Sequence, residues 1–478
     1  MTYSKDETRI IPWLAESYAI DDSVLTFHLR KGVKFHDDPC FPDGKGRELT
    51  AADVKYSFER FYKLRHAGRI LPSVSFLGYG EFAKGDSSHL AGFRVLNKHT
   101  FEVRLAKPDP DLLRELTELH HFIVPREAVE FYGDDFKWHA VGTGPFRVAE
   151  FLPNEKLTLV KNEQYWGFVD HLRLPYLDVI EYVLYSHDAS EKMLLDFQAE
   201  KLSECTQEVA SHLANLVESD NRGRIIFKGW LQEKGVQLVK DEVFRKVRYL
   251  QIGGKKKIRQ AMSYAINRER LVENQNSVFQ KFQTAKGPIP SQAVYFNENL
   301  VGQYYDPDKA RKLLAEAGHP GGIGLPEYGL IAPRGREFDF MAEDLRAVGF
   351  KVKKLEFFPG WRKLLDEFKQ PFLLWMTNVN TSPEACEFFY AFLNQEGCVE
   401  DKTFVEAFGA WQKNEASLRN KTLLNRLEKI IIDISPIVFL YHLDGEFRFL
   451  QRSVRGRQLG AAWGNKLYDV WLDDEARQ

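Results

Sequence analysis

The chain has 478 residues, 44% of them hydrophobic, and its 66 Lys and Arg nearly balance 68 Asp and Glu, leaving a net charge of -2. One core stops growing at roughly 250–300 residues, so two or three lobes are expected. The even balance of charge points away from nucleic acid and from membrane surfaces, and no apolar run of about 18 residues offers a transmembrane helix.

Met1 to Ile10 reads MTYSKDETRI, polar throughout, without a signal-peptide core or a lipid-attachment cysteine. Val24 to Leu29 (VLTFHL) reads as a half-buried strand. After a turn rich in Asp, Pro and Gly, Thr50 is placed to cap a helix with Asp53 three residues on. Val54, Phe58 and Phe61 then share one helix face. Phe93 to Val95 and Thr100 to Leu105 flank Asn97-Lys98 as a hairpin. Leu157 to Val160 and Leu177 to Tyr185 are further strands, and Ser190 opens an amphipathic helix through Phe197. Ile258 to Val272 reads as one helix, with Ala261, Tyr264, Ala265 and Leu271 on one side. Asp308 to Ala317 is a helix stopped by Gly318 and Pro320. A strand from Tyr328 to Ala332, a helix from Met341 to Val348 ended by Gly349, and a strand from Val352 to Phe357 follow. The most apolar stretch, Ile430 to Tyr441, is broken by Asp433 and Pro436. Helices alternating with strands argue α/β or α+β. An aromatic share of 13%, with 36 Phe, fits a Phe-rich core with some rings left to line a cleft.

Signatures of catalysis and of cofactors fail in turn. Gly142-Thr143-Gly144 begins like a dinucleotide loop, but Arg147 stands where the third glycine belongs. No P-loop, G-x-S-x-G or H-E-x-x-H pattern is present. His120 and His121 are adjacent, a spacing that puts two metal ligands on different faces of either a strand or a helix. Lys255, Lys256 and Lys257 read as a solvated turn before a helix. Cys40, Cys205, Cys386 and Cys398 form no C-x-x-C pair or zinc pattern, so free, buried thiols are expected. In an oxidising compartment Cys386 and Cys398 are the two that would close a short loop. No enzyme activity, cofactor, metal or nucleic-acid partner is expected.

Six separated blocks carry a resemblance. They are PWLAES from Pro12 with TFHLRKGVKFHDD after it, ELTAADVKYSFERF from Glu48, and GTGPF from Gly142 with LTLVKNEQYWG ending at Gly167. IRQAMSYAINRERL from Ile258 with GPIP from Gly287, YDPDKARKLLAEAGHPGG from Tyr305, and PIVFLYH from Pro436 complete the set. In this order and spacing the chain resembles the bacterial extracellular solute-binding proteins of the oligopeptide- and dipeptide-binding class, family 5.

The resemblance implies an α/β, two-lobed periplasmic-binding-protein-like clamp with an additional domain. The division expected is 1–145 for the additional α+β domain, 146–250 plus 460–478 for a discontinuous lobe, and 251–459 for the second lobe. It implies capture of a peptide, or a similarly sized polar solute, in an interlobe cleft and delivery to the membrane permease of an ABC importer, by a monomer. Binders of an oligosaccharide, an opine or a metal chelate, and a degenerate non-exported paralogue, are the alternatives. The implied location is periplasmic or extracytoplasmic, with a lipid anchor on the full-length protein left open. In the family RIIPWLAES follows an export signal, a strand, and a helix leading into another strand, so the N-terminal segment is expected to be missing.

In peptide-binding members a W-x-x-D pattern supplies the carboxylate that receives the peptide's amino terminus. The matching stretch here is Trp375-Met376-Thr377-Asn378, followed by Val379-Asn380, so an amide stands where the acid belongs. An amide cannot supply the charge of that hydrogen bond, which puts capture of a free amine in question; Glu384 is a nearby acid. Arg334 lies where a dipeptide-binding relative places an arginine for the ligand carboxylate, with Arg336 as its rival. The expected ligand residues are Trp375, Asn378, Arg334 and Asn380, set against a plain structural reading: Trp375 packing at a strand end, Asn378 in a turn, Arg334 on the surface.

Overall fold

A computed structural model describes residues 2–3, 10–67, 75–109, 112–116, 121–169, 171–186, 189–220, 225–240, 245–252, 254–273, 279, 282–289, 296–331, 336–355, 373–381, 401–412, 421–443, 447–455, 457 and 470–473. Its chain forms two compact units. Unit 1 comprises 1–218, 226–241 and 446–478, and unit 2 comprises 219–225 and 242–445.

Unit 1 opens with β1 (Ala15–Asp21) and β2 (Val24–Leu29), then α1 (Ala51–Ala67), β3 (Phe93–Asn97) and β4 (Thr100–Arg104). The strands form one antiparallel sheet in the order β1-β2-β4-β3. Alternation along β2 buries Leu25, Phe27 and Leu29 together with Phe93 and Phe101, and α1 covers them with Val54, Phe58 and Tyr62. Phe58 meets Phe93 and Phe101 edge-on at 5.7 and 5.9 Å, so the Phe-rich core expected from composition is realised here. The α1 start is a capping box: the Thr50 amide and Oγ1 donate to Asp53 Oδ2 at 2.8 and 2.9 Å. His121 is buried in this core with Nε2 2.8 Å from Tyr62 Oη.

The GTGPF block leads into β5 (Phe146–Leu152), which pairs with β6 (Lys156–Lys161) and through it with β7 (Val179–Val183). Two side chains pin the block: His36 Nε2 lies 2.9 Å from the Gly144 carbonyl, and Asn162 Nδ2 donates to the same oxygen at 2.9 Å. Later segments return to this unit, where Phe447–Leu450 is the central strand between Glu204–Thr206 and Gln237–Lys240.

Unit 2 is built on a six-stranded sheet. Its elements are β8 (Arg245–Gln251), α2 (Lys256–Ala265), α3 (Arg268–Glu273), β9 (Phe282–Thr284), α4 (Pro307–Glu316) and β10 (Glu327–Ile331). They continue with α5 (Arg336–Ala347), β11 (Lys351–Lys354), β12 (Leu373–Thr381), α6 (Lys402–Gln412), α7 (Lys421–Ile434) and β13 (Ile437–Leu443). The strand order is β9-β13-β8-β12-β10-β11, parallel between β12, β10 and β11 and antiparallel elsewhere. One face is covered by α2, α4 and α5 over Leu250, Leu330 and Leu440. The other carries α6 and α7 over Val247, Tyr249 and Phe439. Both faces being covered explains the apolar run of β13.

Two helical expectations are corrected. Ile258 to Val272 is not one helix: α2 ends at Ala265, and α3 starts afresh with Asn267 Oδ1 accepting from the Arg270 amide at 3.0 Å. The break turns Arg268 inward, where it is 1% exposed. The helix expected from Met341 starts at Arg336. The α4 boundary follows its signals, with Asp306 Oδ1 accepting from the Lys309 amide at 2.9 Å and Gly318 at φ 89°. Among the described residues no helix is long and apolar enough to cross a membrane.

Candidate functional site

At one end of the unit 2 sheet the carboxyl ends of β10, β12 and β13 meet the amino end of β8. In open α/β sheets, ligands bind outside the carboxyl ends of the strands. The register there is specific. Lys246 pairs with Asn380 and Leu443; Arg248 pairs with Asn378 and Tyr441; Gln251 pairs with Trp375 and Ile437. β10 ends at Ile331 opposite Trp375, so among the described residues positions 376 to 381 are paired with β8 alone.

The structure therefore brings Asn378 and Asn380 together on one face of β12 and places Trp375, three positions back, on the other. Asn378 lies within a strand, not in a turn. Arg334 follows the end of β10 and lies outside the described residues, as do Glu384, Cys386 and Cys398. Arg336, the rival of Arg334, is exposed in the first turn of α5.

Three residues not singled out from the sequence form the polar group at this end. Arg248 is half-buried, and its Nε donates to Tyr441 Oη at 3.2 Å, with the guanidinium 6.0 Å from the Tyr441 ring centroid. The Tyr441 hydroxyl in turn donates to Glu337 Oε1. Burial raises the Tyr441 phenol far above its ordinary range, so it stays a neutral donor. Phe282 meets its ring edge-on at 5.5 Å. The only sequence signal for Arg248 was a charge inside the otherwise β-forming run VRYLQI.

Elsewhere in unit 1 a cavity of about 440 Å³ is lined by Asp38, Trp138, His139, Glu150 and Phe151. Its two carboxylates are already engaged: Asp38 accepts from Tyr132 Oη at 2.9 Å, and Glu150 pairs with Lys156 at 3.1 Å. Cys40, beside Asp38, is a free thiol pushed up to about 12 by burial, which keeps it unreactive.

The profile of bacterial extracellular solute-binding proteins, family 5 (middle), matches residues 9–397. The chain belongs to this family. It is similar to heme-binding protein A of Haemophilus influenzae, 28% identical over 336 residues, or 67% of this chain and 56% of that protein. The dipeptide-binding protein of Escherichia coli is 25% identical over 402 residues, covering 79% of this chain and 69% of its own length. The matched part thus spans little more than half of the first of these relatives. Among solved structures, the periplasmic binding protein DppA of Helicobacter pylori in complex with the peptide STSA superposes with a TM-score of 0.77 at 21% identity, over 99% of this chain and 91% of that one. The fold is that of the two-lobed periplasmic binding proteins of mixed α/β content.

Proposed function

We propose that this family member is the solute-binding component of an ABC importer, taking up a peptide or similarly sized polar solute and delivering it to membrane permease subunits. The family match across residues 9–397 carries the reading. On this reading the protein acts as a monomer outside the cytoplasm and performs no chemistry. Its ligand residues are Asn378, Asn380 and Trp375 on β12, and Arg334, which follows the end of β10 in sequence. The domain scheme proposed with it has a discontinuous lobe of 146–250 plus 460–478, a second lobe of 251–459 and an additional domain of 1–145. A disulfide between Cys386 and Cys398 belongs to the exported form.

One observation favours a non-peptide solute as a second reading. Position 378 is an amide where peptide-binding members carry an acid, and it pairs in register with Arg248. A relative described as heme-binding fits that direction.

A thermal-shift screen of peptides, sugars and metal chelates tests the assignment, with mass spectrometry of ligand carried through purification. A true ligand at about 100 times its dissociation constant stabilises the fold by roughly 2.7 kcal/mol. Binding at one-to-one stoichiometry without turnover is the expected result. Conversion of a bound compound, lost on changing one side chain, would overturn it.

A further inference from the structure

We propose that Glu428 is a proton-operated latch on the free edge of the unit 2 sheet: with its acid neutral it holds β9 and the segment that runs on to Ile289, and in alkali it releases them. The inference stands apart from the solute-binding reading.

The latch is a buried acid laid against bare backbone. Glu428 projects from α7 and is 1% exposed. A Cβ built on Gly287 would stand 3.5 Å from Glu428 Oε1 and 2.8 Å from Leu300 Cδ2, so a glycine lets the segment lie this close. From the other side His442 Nε2 donates to the Gly287 carbonyl at 3.1 Å. Asn297 offers its side chain to the carboxyl, but among the described residues Oε2 has no partner. Pro288, next along the segment, has no amide to give.

Among the described residues nothing beside that acid can carry its charge. On this face β8 brings Val247 and Tyr249, and α6 brings Phe404, Phe408 and Trp411. Lys402 and Glu406 on α6, Arg426 and Lys429 on α7, and Lys286 and Glu298 beside the cover are exposed. His442 is the buried titratable neighbour, and burial lowers its pKa to about 4, so it is neutral in alkali. An ionised Glu428 must therefore reach water. Its pKa, raised by burial from 4.5 to about 8, sets the pH at which that demand is met.

The cheapest way to water is through the cover. β9 is three residues long and pairs on one side only, with β13. Beyond it, Ala285 N donates to the Leu440 carbonyl and the Lys286 carbonyl accepts from Gln303 N, both at 3.2 Å. On the other side of the acid, α7 is anchored by buried Leu424, Leu427, Ile431 and Ile434. Short edge strands with few bonds open before packed helices do. The same edge carries Phe282 against the Tyr441 ring at 5.5 Å, which ties the latch to the polar end of the sheet.

Hydrogen exchange of the full chain tests this, read by mass spectrometry on fragments covering 282–289. Fragments of α5, on the opposite face of the sheet, serve as the reference, and rates are corrected for the intrinsic effect of pH. Between about pH 6.5 and about pH 9 the segment should lose roughly 10-fold in protection while α5 is still unexchanged. Glu428→Gln keeps the shape of the neutral acid and cannot ionise, so its protection should stay constant over that range. Protection that is unchanged in the parent protein, or lost equally in Glu428→Gln, overturns the latch. Exchange of α5 in step with the segment overturns it as well, because unit 2 would then be opening as a whole.

Discussion

Arg268 and Arg248 belong to the same unit and both reach β13, yet they end in opposite conditions. Arg268 is 1% exposed and surrounded by acceptors: the Phe439, Ser263 and Ile266 carbonyls, Ser263 Oγ and Gln303 Oε1. None of these five partners is a carboxylate, and burial lowers its pKa to about 10. Among the described residues Arg248 has one acceptor, Tyr441 Oη, at the end of the sheet. The first is a cation used as a five-donor staple that joins α2, α3 and β13. The second is tied to β13 by a single bond. Burial and partner count separate the two arginines, where residue type does not.

The largest effect expected from this contrast is on stability. Arg268→Met should destabilise unit 2 by about 3–5 kcal/mol, since it removes five donors at once from buried acceptors, the Ser263, Ile266 and Phe439 carbonyls among them. Urea denaturation measures it. A loss near 1 kcal/mol would mean that water reaches those carbonyls and that the interior is not sealed.

The opposite face of the same sheet gives a second, pH-dependent effect. Glu428 is 1% exposed, its Oε2 has no hydrogen-bond partner among the described residues, and burial raises its pKa from 4.5 to about 8. The folded state therefore favours the neutral acid, and the stability this gives is present below pH 4.5 and lost as pH rises toward 8. His442 Nε2 donates to the Gly287 carbonyl at 3.1 Å, and burial lowers its pKa from 6.5 to about 4, so its contribution is present above pH 6.5 and lost as pH falls toward 4. Between pH 4.5 and 6.5 the two slopes oppose one another and stability should be nearly flat, then decline toward pH 8. Glu428→Gln should abolish the alkaline decline and expose the rise due to His442. An unchanged profile in that variant would show that Glu428 is ionised in the folded state.

Tyr441→Phe should act modestly. It removes the acceptor for Arg248 and the donor to Glu337, costing about 1 kcal/mol of stability. No measurable loss would mean that water takes over both bonds. The smallest effect expected is that of Arg248→Gln on folding alone, within about 0.5 kcal/mol by denaturation. A loss several times larger would move Arg248 into the structural class of Arg268.

Reading along the chain recovered elements whose signals are local. The strand Val24–Leu29 has the bounds expected from its alternation, the hairpin forms with its turn one residue later than read, at Lys98-His99, and the break at Pro436 separates α7 from β13. The helix from Ile258 misread its own periodicity. Apolar spacing continues across Ile266-Asn267, but Asn267 donates its amide to Asp344 Oδ2 at 2.9 Å, a partner on α5 that no local pattern reveals. The candidate site was legible in part. The W-x-x-N stretch lies wholly on β12, where the plain reading had put Asn378 in a turn. A strand of period 2 places positions three apart on opposite faces. Arg248 and Tyr441 went unmarked because each sits in a run that reads as plain strand.

The sequence by itself determined the family, the α/β class, the capped helices and the Phe-rich core, because each depends on blocks or periodicities a few residues long. Only the tertiary structure decided that Arg248 pairs with Asn378 and Tyr441, since strand register between segments so distant in the chain is set by the burial of both sheet faces. It likewise decided which arginine is sealed and which is open. Burial and partner count are properties of the packed unit, and they assign two chemically identical side chains to different work.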